Sequence, residues 1–392
     1  MKQDTTIVTA GRNPEDNFGI VNPPVYHAST VLHPTVEHLE ETRRNAQDPH
    51  YRGVFYGRHG TPTTFALEDA VTALEGGAGC VIYPSGLAAI TGSLTAFLEA
   101  GSHLLMVDTV YGPSRRFCDT ILKKFDVSTT YYDPLIGAGI SDLIEPNTKV
   151  VFVESPGSLT FEVQDVPAIA EVAHRHGAIV MMDNTWATPL YFKPFEKGVD
   201  VSIQAATKYI VGHSDAMLGT AVASTQHWPA LRNCANEFGF CAGPDDVYLA
   251  QRGIRTMSVR LERHARTALV LAEWLTQRAE VSRVLYPPLA SDPGHDVWKR
   301  DFTGASGLFG VVLKPAEADA VAAMLDGLEL FGMGASWGGY ESLILPTKPA
   351  RTRSATSWSP EGPTLRIHAG LEDIDDLIAD LSSGFARLGA AA

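Results

Sequence analysis

The segment SIQAATKYIVGHSD, from Ser202 to Asp215, opens as an apolar run and closes on a glycine turn, with one amine, Lys208, between them. An amine drawn out of water loses the solvation of its charged form. Its pKa falls and the neutral nucleophile becomes available. The chemistry that uses such a lysine is addition to a carbonyl, giving a Schiff base. A lone lysine at a strand end more often runs its stem along apolar surface and keeps its head in water, so Lys208 by itself decides nothing. Asp183 shifts the balance. It ends the run AIVMMD, which places a carboxylate at a buried sheet end, where it needs a cation or strong hydrogen bonds. The two residues are 25 positions apart, room for one helix and one strand.

Pyridoxal phosphate meets both requirements at once. Its aldehyde takes a lysine, and its protonated ring nitrogen takes a carboxylate. Its phosphate needs donors. The segment YPSGLAAITGSL puts Ser85, Gly86 and Leu87 at a strand-to-helix junction, where free backbone N–H groups would cradle an anion. Many strand–helix turns look alike, so this signal is weak alone. Thr207 would add a hydroxyl, and Arg58, in FYGRHGTPT, a charge. His59 and His213 lie in the same motifs, but among 13 histidines coincidence is easy, and neither receives a role. The Asp and His residues of SDPGHDVWKRDFTGASG lack metal-ligand spacing, and no metal is expected.

These residues must be held by a sheet. Short apolar runs alternate with helical stretches: CVIYP, HLLMVD, KVVFVES, AIVMMDN and VDVSIQ. Such runs read as buried parallel strands joined by crossover helices, and functional side chains belong at their carboxyl ends. Tyr83 to Gly86, Asp108, Glu154–Ser155, Asp183–Asn184 and Lys208 stand there. TFALEDAVTALEGG reads as an amphipathic helix stopped by glycine, and one long helical stretch starts near Asp245. GLFGVVLK reads as a strand and LEDIDDLIADLSSGFARL as the terminal helix. The fold class is α/β, with a large domain of mostly parallel sheet flanked by helices and a smaller α+β C-terminal domain. The predicted limits are 1–60 for an extended N-terminal arm that lies on a neighbouring subunit, 61–250 for the large domain and 251–392 for the small one.

The 392 residues are 45% apolar and 19% charged, ordinary values for a globular enzyme. A net charge of −14 argues against nucleic acid or an anionic membrane as the main partner. Cys80, Cys118, Cys234 and Cys241 form no CxxC pair and read as reduced thiols. The start MKQDTTIVTAGRNPED lacks the apolar core of a signal peptide, and no run of about 18 apolar residues would span a membrane, so a cytoplasmic protein is expected.

Nearly the whole chain resembles the Cys/Met-metabolism family of fold-type I pyridoxal-phosphate enzymes. The resemblance is carried by FYGRHGTPT, EGGAGCVIYPSGLAAI, ESPGS, MDNTWATP, IQAATKYIVGHSDAMLGT and GLFGVVL. Within the family, SWGGYESLILP and LRIHAGLEDIDDLIADL are similar to the members that split cystathionine by β-elimination, since γ-acting relatives usually lack that tryptophan. The resemblance implies that Lys208 holds the cofactor and shuttles protons while Asp183 pairs with its ring nitrogen. The Gly86 and Leu87 backbone, with Thr207, would bind the phosphate, and Tyr56 and Arg58 would reach the phosphate site of a neighbouring subunit. Tyr111 would stack on the ring and help the substrate amine displace the lysine. Arg366 would bind the substrate α-carboxylate, with Ser336, Trp337 and Tyr56 lining the substrate side. It also implies a homotetramer built from two active dimers and a small amino-acid thioether as substrate.

The chain departs from the family pattern in three ways. Ala205 stands where many relatives have a phosphate-binding serine, although the cystathionine-splitting members share the alanine. Arg115 and Arg116 follow Tyr111, and Asn233 occurs in LRNCANEF, at positions where the best-known β-lyases carry acids suited to a distal ammonium. Either these side chains face solvent, or the preference extends to other S-alkyl or S-aryl cysteines. A cysteine-S-conjugate lyase or desulfhydrase, a γ-lyase or sulfhydrylase on the same fold, and a non-catalytic binding module are the competing readings. The intact set of Lys208, Asp183, Tyr111 and Arg366 argues against the last.

Overall fold

The computed structural model describes residues 1–390. The apolar runs become strands of one seven-stranded sheet: β1 (Gly79–Tyr83), β2 (His103–Val107), β3 (Ser128–Tyr132), β4 (Thr148–Glu154), β5 (Ile179–Asp183), β6 (Val201–Gln204) and β7 (Gly219–Ala223). Their order across the sheet is β1-β7-β6-β5-β4-β2-β3. β2 to β6 are mutually parallel, while β7 runs antiparallel to both of its neighbours, β1 and β6. A parallel sheet with helices on both faces needs strands that are apolar on both sides. Leu104, Leu105, Val150 to Val153 and Val180 to Met182 are accordingly all buried.

β3 and β7 were not visible as apolar runs. β3 reads STTYY and is a half-exposed edge strand, so hydroxyls replace the aliphatic signal. β7 reads GTAVA and is held in a narrow slot: a Cβ on Gly219 would come 2.2 Å from the Ser85 carbonyl oxygen.

A second, antiparallel sheet comprises β8 (Val281–Leu285), β9 (Leu308–Leu313), β10 (Leu343–Thr347) and β11 (Thr364–His368), in the order β10-β11-β9-β8. The Met257–Thr276 helix packs on β8 and on the terminal Ile374–Ala390 helix. The helical stretch expected from Asp245 is in fact two helices, Pro244–Ile254 and Met257–Thr276. Arg260 explains the break. Its Nη2 donates to the Gly253 and Tyr209 carbonyls (2.7 and 2.8 Å), turning the end of the first helix towards the segment that carries Lys208.

The first 60 residues are largely irregular but hold two helices that the sequence did not announce, Gln3–Thr9 and Val36–Asn45. The first reads QDTTIVT, a β-branched string of low helix propensity. Tertiary contact sustains it: Ile7 is 1% exposed, and Arg255 donates to the Ile7 and Ala10 carbonyls at 2.7 and 2.8 Å. Between the two helices the chain leaves large apolar groups in the open, including Phe18 at 97% and Leu32 at 87% exposure. No helix among the described residues is long and apolar enough to cross a membrane.

Candidate active site

Lys208 lies in a turn just past β6. Its Nζ donates to Ser336 Oγ at 2.6 Å and stands 5.4 Å from the Trp337 ring centre. Burial and, after it, the Arg366 cation bring the amine down to about 8, with Asp183 opposing them. The turn carrying Ser336 and Trp337 approaches the lysine backbone closely because Gly338 has φ +89° and no side chain. A Cβ there would sit 3.0 Å from Lys208 Cα.

Asp183 closes β5 and is buried. Its Oδ1 accepts from the Thr185 N–H at 3.0 Å and the Thr185 hydroxyl at 2.5 Å. Thr185 Oγ1 also accepts from the Ala205 N–H at 2.8 Å, which ties the carboxylate to the turn that carries the lysine. Burial raises the Asp183 pKa, and the Thr185 hydrogen bonds and the Lys208 charge offset only part of that. A cationic ring N–H is the partner this carboxylate calls for.

The Gly86–Phe97 helix starts beside the same turn. Ser85 Oγ caps it by accepting from the Ala88 N–H at 3.1 Å, which leaves the Gly86 and Leu87 N–H groups for an anion. Gly86 keeps the cradle open: a Cβ there would come 2.5 Å from Ala205 Cβ. Thr207 departs from its expected freedom. Its hydroxyl donates to the Leu218 carbonyl at 3.0 Å and accepts from the Leu218 N–H at 2.9 Å, so the β6–β7 connection already engages it.

Tyr111 precedes the Gly112–Phe117 helix, and the residue is 46% exposed. Its backbone N–H donates to Glu154 Oε2 at 2.8 Å. Burial raises the phenol pKa, Asp183 and Glu154 add to this, and Arg366 and Arg116 oppose it. Glu154, the last residue of β4, is the register partner of Asp183 on β5. Burial and then Asp183 push its carboxyl well above the usual carboxylate range. The sequence placed Glu154 among the polar strand ends but gave it no role. The available signal was that it ends its apolar run just as Asp183 ends another.

Arg366, on β11, donates from Nη2 to the carbonyls of Gly334, Ala335 and Ser336 at 3.3, 3.3 and 3.1 Å. It thereby props the Ser336–Trp337 turn against Lys208. Lys208, Asp183, Tyr111, Ser336, Trp337 and Arg366 thus form one group, with Gly86, Leu87 and Thr207 around Ala205. Tyr56 and Arg58 make their contacts elsewhere: Arg58 donates to the Asn236 carbonyl at 2.7 Å and stands 5.9 Å from the Tyr56 ring centre. Arg115 drops out as a reader of substrate. Its guanidinium bonds the buried Asp108 carboxylate at 2.5 Å and lies 3.5 Å from the Tyr131 ring centre. Arg116 is exposed beside Tyr111, and Asn233 is exposed near Arg52 and His59.

The residues present fit pyridoxal phosphate. A buried carboxylate has no ion pair among the described residues, a neutralisable amine acts on it through its charge, and a glycine cradle opens on a helix N-terminus. The chain is similar to the cystathionine beta-lyases of Escherichia coli K12, at 49% identity over 99% of both chains, and of Salmonella typhimurium, at 48% over 98% of both. A crystal structure of cystathionine gamma synthase from Xanthomonas oryzae in complex with cystathionine superposes with a TM-score of 0.90, at 31% identity over the full length of both chains. Residues 4–386 match the family described as Cys/Met metabolism PLP-dependent enzyme, and the chain belongs to that family.

Proposed function

We propose that the chain is a carbon–sulfur β-lyase that splits L-cystathionine, with uptake of one water, into homocysteine, pyruvate and ammonia. The carrying observation is the Lys208 amine, brought to about 8 by burial and by Arg366 against the opposing Asp183 charge, and resting on the Ser336–Trp337 turn. The similarity to the two bacterial cystathionine beta-lyases supports the choice of substrate.

When bound, pyridoxal phosphate supplies an electrophilic carbon for the substrate amine and a sink for the electron pair left at Cα. Lys208 would hold its aldehyde carbon, Asp183 its ring nitrogen, and the Gly86 and Leu87 N–H groups its phosphate. Arg366 offers the substrate carboxylate a planar guanidinium that is already oriented by three carbonyls. The freed Lys208 Nζ takes the proton from Cα, being a base whose pKa lies near working pH. The same nitrogen, now an ammonium, or the Tyr111 hydroxyl returns a proton to the departing sulfur. Ser336 keeps the lysine aimed between these tasks, and Trp337 excludes water from the same side.

The exposed apolar stretch of the arm and the placement of Tyr56 and Arg58 away from Lys208 support an assembly in which each arm completes a second copy's phosphate site. The proposed unit is a homotetramer of two such dimers, in the cytoplasm. The proposed domain limits are 1–60, 61–250 and 251–392.

Arg116, exposed beside Tyr111, favours a second reading in which S-alkyl or S-aryl cysteines are also accepted. One assay set tests both readings. With cystathionine, cystine and an S-alkylcysteine, the thiol and the keto acid are identified and kcat/KM is measured. Pyruvate with homocysteine is the expected outcome. 2-Oxobutyrate would overturn β-elimination, and a strong preference for cystathionine would end the second reading.

A further inference from the structure

Glu154 and Asp183 are register partners at the ends of adjacent parallel strands, so their side chains emerge on the same face. Both are buried. The Lys208 charge acts on Asp183 and favours its ionised form. The hydrogen bonds to Glu154 come from neutral donors, the Tyr111 N–H at 2.8 Å and the Ser158 hydroxyl at 2.5 Å. The titratable groups facing Glu154 are Asp183 from β5 and the Tyr111 phenol, while Arg366 and Arg116 act on Tyr111 from beyond it. Two ionised carboxylates here would repel each other in a region from which water is excluded.

The Glu154 contacts also close a ring. The Ser158 N–H donates to the Thr109 carbonyl at 2.9 Å, Ser158 Oγ donates to Glu154 Oε1, and Glu154 Oε2 accepts from the Tyr111 N–H. Thr109 and Tyr111 are therefore pinned on either side of Val110, which fixes where the tyrosine leaves the sheet. Gly157 lets this ring close, since a Cβ there would come 2.2 Å from Thr109 Oγ1.

We propose that Glu154 is the positioning residue for Tyr111, acting as a neutral hydrogen-bond hub and not as a charge. In its neutral form one oxygen still accepts from the Tyr111 N–H. The other gives its own hydrogen to Ser158 Oγ, whose hydroxyl hydrogen turns away. Asp183 is then the charged member of the pair. The proposal rests on the lyase reading for the task of Tyr111, though not for the geometry that holds it.

The test uses holoenzyme carrying Glu154→Gln or Glu154→Ala. Steady-state kinetics on cystathionine are read beside the visible circular dichroism of the bound cofactor and the affinity of the apo-protein for pyridoxal phosphate. The Gln variant preserves a neutral acceptor for Tyr111 and is the rescue arm; it should stay within ~3-fold of wild type in kcat and keep the dichroic band. The Ala variant should lose ~10- to 30-fold, mainly in kcat, and change the band. A Gln variant as poor as the Ala variant would show that the negative charge is needed and overturn the proposal. An Ala variant with normal kcat and an unchanged band would overturn it too. If the Ala variant does not fold, Ser158→Ala removes one side of the ring and should alter the same band; no change there would count against the idea. Wild-type protein yielding no pyruvate from any thioether would end the lyase reading alone, because the dichroic band still reports on Glu154.

Discussion

The behaviour of Lys208 follows from where its charge can be solvated. With its pKa near 8, the amine is mostly protonated at pH 6 and mostly neutral at pH 9. The rate at which cofactor-free protein reacts with added pyridoxal phosphate should therefore rise with pH and level off above about 8, as followed by absorbance. A rate independent of pH between 6 and 9 would contradict this. Replacing Lys208 by alanine should cost roughly 10³-fold or more in turnover, since nucleophile and proton carrier go together; near-normal turnover would remove the mechanism. Arg366→Lys should act differently. It keeps the charge but loses the planar fork and the props under Gly334 to Ser336, so KM should rise by about 10-fold or more, with a fall in kcat if the Ser336 turn loosens. Measuring the two constants separately distinguishes these effects.

At the scale of elements, the helices position the strand ends and carry a titration of their own. Glu75 closes the Pro62–Glu75 helix beneath β6, accepting from Ser202 Oγ at 3.0 Å and Gln204 Nε2 at 2.5 Å. Burial raises its carboxyl to about 7, from 4.5 for a free one. The folded state therefore binds this proton more tightly than the unfolded state. Stability should fall as pH rises from 4.5 to about 7, by about 3 kcal/mol at ~1.4 kcal/mol per pH unit. Glu75→Gln should flatten that slope and be the more stable protein at pH 8, as read by urea melts of the two proteins at pH 5 and pH 8. Gly86→Ala drives a methyl against Ala205 at the mouth of the cradle, and should weaken cofactor binding and lower Tm. The elements also show how much could be read from the chain. The five apolar runs that became β1, β2, β4, β5 and β6 were plain because a strand covered on both faces is apolar throughout, although β1 pairs antiparallel with β7 and not in parallel. Asp183 was plain because it ends such a run, and Lys208 because it follows one by only a few residues. β3 and β7 were hidden, one by exposure and the other by small residues. Glu154 was visible as a polar strand end, but its role was hidden because it depends on the residue opposite on the next strand, and chain order does not reveal register. Thr207 was visible as a hydroxyl, but not as one already engaged by Leu218.

At the scale of the whole molecule, two observations bear on assembly: an arm with Phe18 and Leu32 in the open, and Arg58 bonded to Asn236 away from Lys208. If the arm completes a second copy's site, Arg58→Ala should weaken cofactor binding about 10-fold without changing the order of thioether preference, and dilution to monomers should abolish turnover. A fully active monomer by light scattering would show that each chain closes its own site. One consequence of β7 concerns the growing polypeptide. β1 leaves the ribosome more than a hundred residues ahead of the strand that fills the gap between it and β6. Until residue 223 emerges, β1 is a lone edge with unpaired amides, open to association with other nascent chains. Chains stalled before that point should lean on chaperones far more than chains stalled after it.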